Sequence, residues 1–499
     1  MESHRVTGPR LTAATEEGTE MKKLLVPGLL GVILAGCAVG PNYKQPTVAV
    51  PEQYREVQGP PAPGASLADL PWWETFGDPA LKSLIDEALR NGYDVRIAAF
   101  RVDEARARAG IARSEFFPQI GYGGGVSRGL ASTYLLPEST TVNRVNANVN
   151  FGWELDLWGR IRRLNESAKA QYLATEEARR GVVLSLVSEV ATTYFTLRAL
   201  DEQLAIAKAT VGSFEEQYRL FDLKLQGGAA SSIQTSYAGA ALGQVAAQVP
   251  EIERQIEATE NQLCLLLGRN PGPIPRGEAL SAQGIPPKIP AGLPSDLLKR
   301  RPDILQAEQQ LVAANADVGV SVANFFPSIS LTGLFGGVSP DVSSLFSAGK
   351  TWSIAAGLVG PLFQGGRLRS EYEVAVARWE QAKTQYEQSV TSAFAETTTV
   401  LYAREKIEAS IVELKRTVSE YREMVRLANV RYDAGVSDYF EVLYSMQLLY
   451  PAEVTLVNAQ LNLAADYVNI YKALGGGWNQ PELPPGAASP APVATPKTN

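Results

Sequence analysis

The chain has 499 residues, 46 of them basic and 53 acidic, a net charge of −7 and a hydrophobic fraction of 45%. Its one histidine is His4 and its two cysteines are Cys37 and Cys264. Beyond the leader described next, no histidine remains for Ser-His-Asp or Cys-His chemistry or for a His-ligated metal, and no basic tract suits nucleic acid.

Met21-Lys22-Lys23 and the apolar run from Leu24 to Ala35 have the form of a secretory signal. The basic region is short, and about a dozen apolar residues are too few to span a bilayer as a helix. The run ends in Leu34-Ala35-Gly36-Cys37, which resembles the bacterial lipobox, where the thiol is acylated and the peptide is cut just before it. With Cys37 acylated, Cys264 stands alone and an internal disulfide is excluded. Residues 1–20 precede a second methionine and lack signal character, which leaves the true start codon open. Residues 1–36 are assigned as signal peptide and 37–71 as a lipidated, Pro-rich extended segment. No other long apolar run follows, so a membrane crossing falls to strands.

The leading helix is expected over Pro79 to Glu115, and strands follow near Gln119–Val126 and Val145–Leu157, separated by a polar loop over Ser132–Asn143. Between Val145 and Leu157 every second residue is apolar, and the intervening ones are Asn146, Asn148, Asn150, Gly152, Glu154 and Asp156. Period two means a strand with one oily and one wet face. No proline occurs between Pro137 and Pro250, which allows a helix from Ile161 to Gln226, about 100 Å long at 1.5 Å per residue. Gly227-Gly228 then permits a sharp reversal. A Pro-rich linker covers 271–294.

Past the linker the pattern recurs. Ser114-Glu115-Phe116-Phe117-Pro118 returns as Ala323-Asn324-Phe325-Phe326-Pro327, Gly159-Arg160-Ile161 as Gly366-Arg367-Leu368, and Leu267-Gly268 as Leu474-Gly475, at offsets of 209, 207 and 207. The chain is a tandem duplication, with repeat 1 over 72–270 and repeat 2 over 295–476. Strands are expected near Ser328–Phe335 and Thr351–Leu362, followed by a second long helix and a reversal at Gly435. A heptad seam, Ile407, Ile411, Leu414, Val418, Tyr421, Val425, Ala428 and Tyr432, has a counterpart 207 residues earlier from Leu200 to Leu225, and such seams pack helix on helix. An elongated molecule is expected. Residues 477–499 are Pro-rich and expected to be disordered.

In a bilayer every strand edge must be paired, so strands cross only as closed barrels, with lipid-facing and lumen-facing residues alternating. One chain supplies four strands and closure needs about eight, so the barrel must be shared. Three chains would give twelve strands around an aqueous lumen.

Several longer stretches carry a close resemblance to a known family: Cys37-Ala38-Val39-Gly40-Pro41-Asn42-Tyr43, PWWETFGDPAL at 71–81, WELDLWGRIRR at 153–163 and RRPDILQAEQQLVAANADVGVSVANFFPSISLTG at 300–333. The sequence resembles the TolC family of outer-membrane factors, in the lipoprotein branch of OprM/NodT type. The resemblance implies an α+β membrane protein, a homotrimer whose chains share a twelve-strand transmembrane barrel and a long α-helical periplasmic barrel. It also implies a periplasmic adaptor and an inner-membrane pump of RND type as partners, with expulsion of drugs or other small molecules. Ala38 in place of Asp agrees, within this family, with an outer-membrane location. The implied cofactor set is empty apart from an N-acyl diacylglycerol on Cys37.

No catalytic residue is expected, because the task is conduction. The tip of the second copy reads Asn429-Val430-Arg431-Tyr432-Asp433-Ala434-Gly435-Val436-Ser437-Asp438-Tyr439. By resemblance to members gated at this end, Arg431, Tyr432, Asp433 and Asp438 are gate candidates, and the bland alternative is a solvated helix end. Gly228, Ala229, Gly435 and Val436 are candidates for adaptor contact. Arg300-Arg301-Pro302-Asp303 is taken as a helix start, Trp72 and Trp73 as a packed anchor, and Cys264 as a small buried hydrophobe. Three other functions compete: a duct for type I protein secretion, a structural coiled-coil lipoprotein of the periplasm, and a hydrolase with paired carboxylates. The coiled-coil spacer leaves the four amphipathic strands without a purpose, and nothing marks a hydrolytic cleft.

Overall fold

The computed structural model describes residues 38–51, 54, 77–131, 140–282 and 294–476. Cys37, Trp72, Trp73 and the tail after Trp478 lie outside them. In chain order the described residues form α1 (Pro79–Asn91), α2 (Tyr93–Ser114), β1 (Gln119–Ala131), β2 (Thr140–Leu155), α3 (Arg160–Gln226), α4 (Ser232–Ala246) and α5 (Gln248–Leu266). The second half continues with α6 (Leu297–Arg300), α7 (Pro302–Ala323), β3 (Ser328–Ser339), β4 (Lys350–Val359), α8 (Arg367–Asp433) and α9 (Phe440–Ala473).

Two expectations are corrected here. The leading helix is two helices, because Gly92 leaves the helical region at φ −55°, ψ 133° while its N–H still closes on the Ala88 carbonyl. The return helix of the first copy is also divided, at Ala247, whereas that of the second runs unbroken over 34 residues with Pro451 inside it. All four strands are present and differ at their ends. β1 extends five residues beyond Val126, β2 begins at Thr140, inside the stretch expected as loop, and β4 stops at Val359.

The chain divides into two compact units. The first comprises residues 1–45, 105–172 and 310–383 and contains the sheet. Strand order is β1-β2-β3-β4, every pair antiparallel, and the registers run without a bulge from Gln119↔Gly152 to Ala131↔Thr140, from Val145↔Ser339 to Leu155↔Ile329, and from Ser328↔Val359 to Gly337↔Lys350. Each hairpin comes from one copy, and the central β2–β3 pairing joins the copies. Among the described residues neither β1 nor β4 has a second strand partner.

The second unit comprises residues 46–104, 173–309 and 384–499. Its main core gathers Leu81, Leu84 and Ile85 of α1, Leu184 to Ala199 of α3, Leu263 and Leu267 at the end of α5, and Val457 to Leu474 of α9. Tyr54, from the N-terminal segment, is buried in the same cluster. An 18-residue stretch of α3 is apolar enough to cross a membrane by length and composition, contrary to the expectation that no such run exists outside the leader, but 61% of it is buried inside the chain. The seam 407–432 is buried or half-buried throughout, and its counterpart departs only at Tyr218 and Leu225, which are exposed.

Six glycines fix the duplication geometrically. Gly159 and Gly366 precede the long helices at φ 81° and 86°, Gly228 and Gly435 follow them at 74° and 70°, and Gly268 and Gly475 end the return helices at 71° each. These left-handed values suit a residue without Cβ. At each reversal the ending is the same Schellman pattern: Ala229 N donates to Lys224 O at 2.7 Å and Val436 N to Arg431 O at 3.0 Å.

Candidate functional site

The sheet is one-sided in polarity. The registers put Ile120, Tyr122 and Val126 of β1 on the same face as Val149 and Phe151 of β2, Leu331 and Phe335 of β3, and Trp352, Ile354 and Leu358 of β4. In a soluble sheet this face would be packed; here Tyr122 is 92% and Trp352 72% exposed. On the other face Asn150, Asn148 and Asn146 stand opposite Gly121, Gly123 and Gly125. A Cβ at Gly121 would lie 3.2 Å from the Asn150 amide oxygen, and one at Gly125 3.1 Å from that of Asn146, so the amides lean over the glycines. A face of amides, hydroxyls and glycine suits water, and a face of exposed aromatic and branched residues suits hydrocarbon.

The conspicuous motif WELDLWGRIRR is the corner where β2 becomes α3. Glu154 accepts two hydrogen bonds from the Arg160 guanidinium at 2.8 and 2.7 Å, and Asp156 caps the helix by accepting from Ile161 N and Arg162 N at 3.0 and 2.9 Å. An acid at a helix start answers both its orphan donors and its dipole. The Trp158 indole donates to Pro327 O at 2.8 Å and stacks on Phe326, which ties the corner of one copy to the Phe-Phe-Pro of the other. The segment after Cys37 is fastened here too: Val39 N donates to Trp158 O at 3.0 Å, and Arg163 donates to Asn42 Oδ1 at 2.7 Å.

In the second unit the two reversals, α3–α4 and α8–α9, share one core of Phe214, Phe221, Ala238, Ala241, Val245, Ala428, Tyr439, Val442 and Leu443. Of the gate candidates, Tyr432 is half-buried, with its ring edge-on to Tyr439 at 4.7 Å and its hydroxyl bonded to Lys224 Nζ. Lys224 thus links the first reversal to the second. Arg431 is exposed and pairs with Glu441 on α9 at 3.4 Å. Asp433 is exposed, and Asp438 is exposed and accepts from Phe440 N at 3.4 Å at the start of α9. Ser231, 207 residues earlier, caps α4 in a full capping box with Gln234. Asp438, the counterpart of Ser231, makes only this one long side-chain bond among the described residues and no such box, and the cap position of α9 is Tyr439. Gly228, Ala229, Gly435 and Val436 all lie exposed on the turns, Val436 at 69%.

Sequence reasoning missed the roles of Lys224 and Tyr439, whereas Phe221 belongs to the expected seam and is buried in it. Tyr439 is buried against Phe221 and Tyr432, and its hydroxyl has no hydrogen-bond partner among the described residues. Burial pushes that hydroxyl above its ordinary value. The 207-residue offset carries the missing signal, since it maps Arg431 onto Lys224.

Arg301 precedes Pro302 at the start of α7, as expected, but its guanidinium also donates to the Ala473 carbonyl at the end of α9 at 2.9 Å and pairs with Asp303 and Glu396. Cys264 is fully buried and donates to Gly272 O at 3.2 Å.

The family model described as outer membrane efflux protein matches residues 84–269 and 293–476, one match per copy. The solvent efflux pump outer membrane protein SrpC of Pseudomonas putida is 38% identical over 471 residues, 92% of this chain and 99% of that protein. The cation efflux system protein CusC of Escherichia coli is 33% identical over 459 residues, 91% of this chain and 99% of its own length. Among solved structures, the outer-membrane channel OprN superposes with a TM-score of 0.83 at 30% identity, covering 89% of this chain and 100% of that one. The chain belongs to the outer membrane efflux protein family.

Proposed function

We propose that this chain is the outer-membrane conduit of a tripartite efflux system, conducting drugs and other small molecules delivered by an inner-membrane pump, of RND type, through a periplasmic adaptor. Three chains join their sheets edge to edge into a twelve-strand barrel, and their helices line the periplasmic conduit. The observation that carries this reading is the four-strand sheet with two unpaired edges, one exposed apolar face and one face of asparagines and glycines. Strands of 10 to 16 residues are long enough to cross a bilayer at the usual tilt. A lone chain would leave both edges unsatisfied in hydrocarbon, at several kcal/mol per orphaned backbone group. The relatives' names supply the cargo class, with solvents for SrpC and cations for CusC.

Transport is the activity of this family, and conduction rather than catalysis is the reading for this chain. Cys37 is assigned an N-acyl diacylglycerol. What supports this is the leader sequence and the fastening of Val39 and Asn42 beside the β2–α3 corner. The reversals are assigned the periplasmic gate, with Tyr432 held by Lys224, Arg431 held by Glu441, and Asp433 and Asp438 presenting exposed carboxylates. Gly228, Ala229, Gly435 and Val436 are assigned to adaptor contact.

Planar-bilayer recording of the purified protein, with crosslinking to count subunits, tests the conduit, which should give trimers with small, mostly closed conductance. Arg431→Ala with Asp438→Ala should raise single-channel conductance several-fold. Trimers that conduct no differently with both substitutions would remove these residues from the gate, and a monodisperse monomer would remove the conduit itself.

A further inference from the structure

Charge on the apolar face of the sheet is confined to one end. Among the described residues of the four strands, that face carries two ionisable groups other than tyrosine, Arg128 on β1 and Lys350 on β4, and both are basic and exposed. Arg128 lies three residues before the end of β1 and Lys350 opens β4, so both stand at the strand ends remote from the helices. The helix-side end of the same face, at Ile120, Leu155, Ile329 and Leu358, is wholly apolar. The opposite face differs, with Arg144 toward the remote end and Glu154 at the helix end.

β1 and β4 are also the two free edges. When β1 of one chain zips to β4 of the next, Arg128 and Lys350 both border that seam on the lipid side, toward its remote end. Two cations bordering one seam in a medium of low dielectric repel, and snorkelling toward the headgroups relieves only part of that. A single anion spanning both would turn the repulsion into two charge-assisted hydrogen bonds. Val126, Phe335 and Trp352 lie just below them on the same face, a surface fit for acyl chains. Acidic lipid is therefore favoured at the remote end only, and in an outer membrane that end faces the leaflet built of phosphorylated glycolipid.

We propose that each seam between chains binds one phosphorylated, multiply acylated glycolipid, its phosphate held by Arg128 of one chain and Lys350 of the adjoining chain. This rests on the three-chain barrel proposed above. The test is native mass spectrometry of the purified full-length protein in detergent, titrated with lipid A as the glycolipid, its dephosphorylated form and phosphatidylglycerol. Trimers should take up three lipid A molecules, and binding should weaken about tenfold or more in the Arg128→Gln, Lys350→Gln double variant and with the dephosphorylated lipid. Arg144→Gln, on the other face at the same end, should bind as the parent does. Equal binding by the double variant, equal loss in Arg144→Gln, or phosphatidylglycerol binding as tightly as lipid A would each overturn the site. A species that never appears as a trimer would instead overturn the shared barrel.

Discussion

Asp466 on α9 is 6% exposed, and its Oδ2 has no hydrogen-bond partner among the described residues. Burial pushes its carboxyl up to about 6, with Arg404 pulling it down and Glu408 pushing it up. A folded value above the unfolded one, near 3.9, means that the folded protein holds this proton more tightly. Stability therefore rises as pH falls through about 6 and levels off below about 4, and above pH 6 the charged form costs up to about 3 kcal/mol. Asp466→Asn should raise the melting temperature at pH 7.5 and leave it nearly unchanged at pH 3, in scans at a fixed rate. An equal shift at both pH values would contradict the assignment. Local chemistry at this scale was legible in the sequence where neighbours along the chain decide it, as with Pro302 opening a helix or Cys264 among leucines. Contacts made over long separations were not. Arg301 reaches Ala473, 172 residues on, and Tyr432 reaches Lys224, 208 residues back. No periodicity announces such partners, and only the repeat offset hints at the second.

At the scale of elements, the period-two pattern found all four strands because burial on one side and water on the other force alternation. It misjudged their ends because Gly129, Asn143 and Arg144 lack the alternation and still lie in the ladder. The long helices were legible from the absence of proline, whereas the break at Ala247 has no glycine or proline at the break itself. The two faces give a sharp test. Tyr122→Arg places a charge on the apolar face and should cost up to about 2–4 kcal/mol of barrel stability, seen as loss of heat-resistant trimers in the outer-membrane fraction. Asn148→Asp, on the other face one residue away in register from Tyr122's partner Val149, should assemble normally and increase cation selectivity. Matching assembly defects for the two would mean that the faces are not distinct.

For the whole molecule, the sequence made sharing of the barrel legible by arithmetic, four strands against a minimum of about eight. It could not supply the register across the seam, since β1 and β4 belong to different chains there. A cysteine scan of β1 over 121–127 against Ser353→Cys, in a Cys264→Ala background, should give interchain disulfides at one or two positions only and yield covalent dimers and trimers on reducing-agent-free gels. Cys264 is a suitable residue to remove because it makes a single weak bond to Gly272 O and Ala is a modest change in volume. Crosslinks at every position or none would argue against a fixed seam.

The 207-residue spacing of the left-handed glycines has one more consequence. Had two equal halves remained separate polypeptides, six identical hairpins would ring the conduit and any motion at one would be required of all. Fusion into one chain lets the halves drift apart, and they have: Lys224 answers Arg431, Leu225 answers Tyr432, and Ser231 answers Asp438. Every second hairpin of a three-chain ring is therefore chemically its own kind, so a substitution in one set need not be matched in the other.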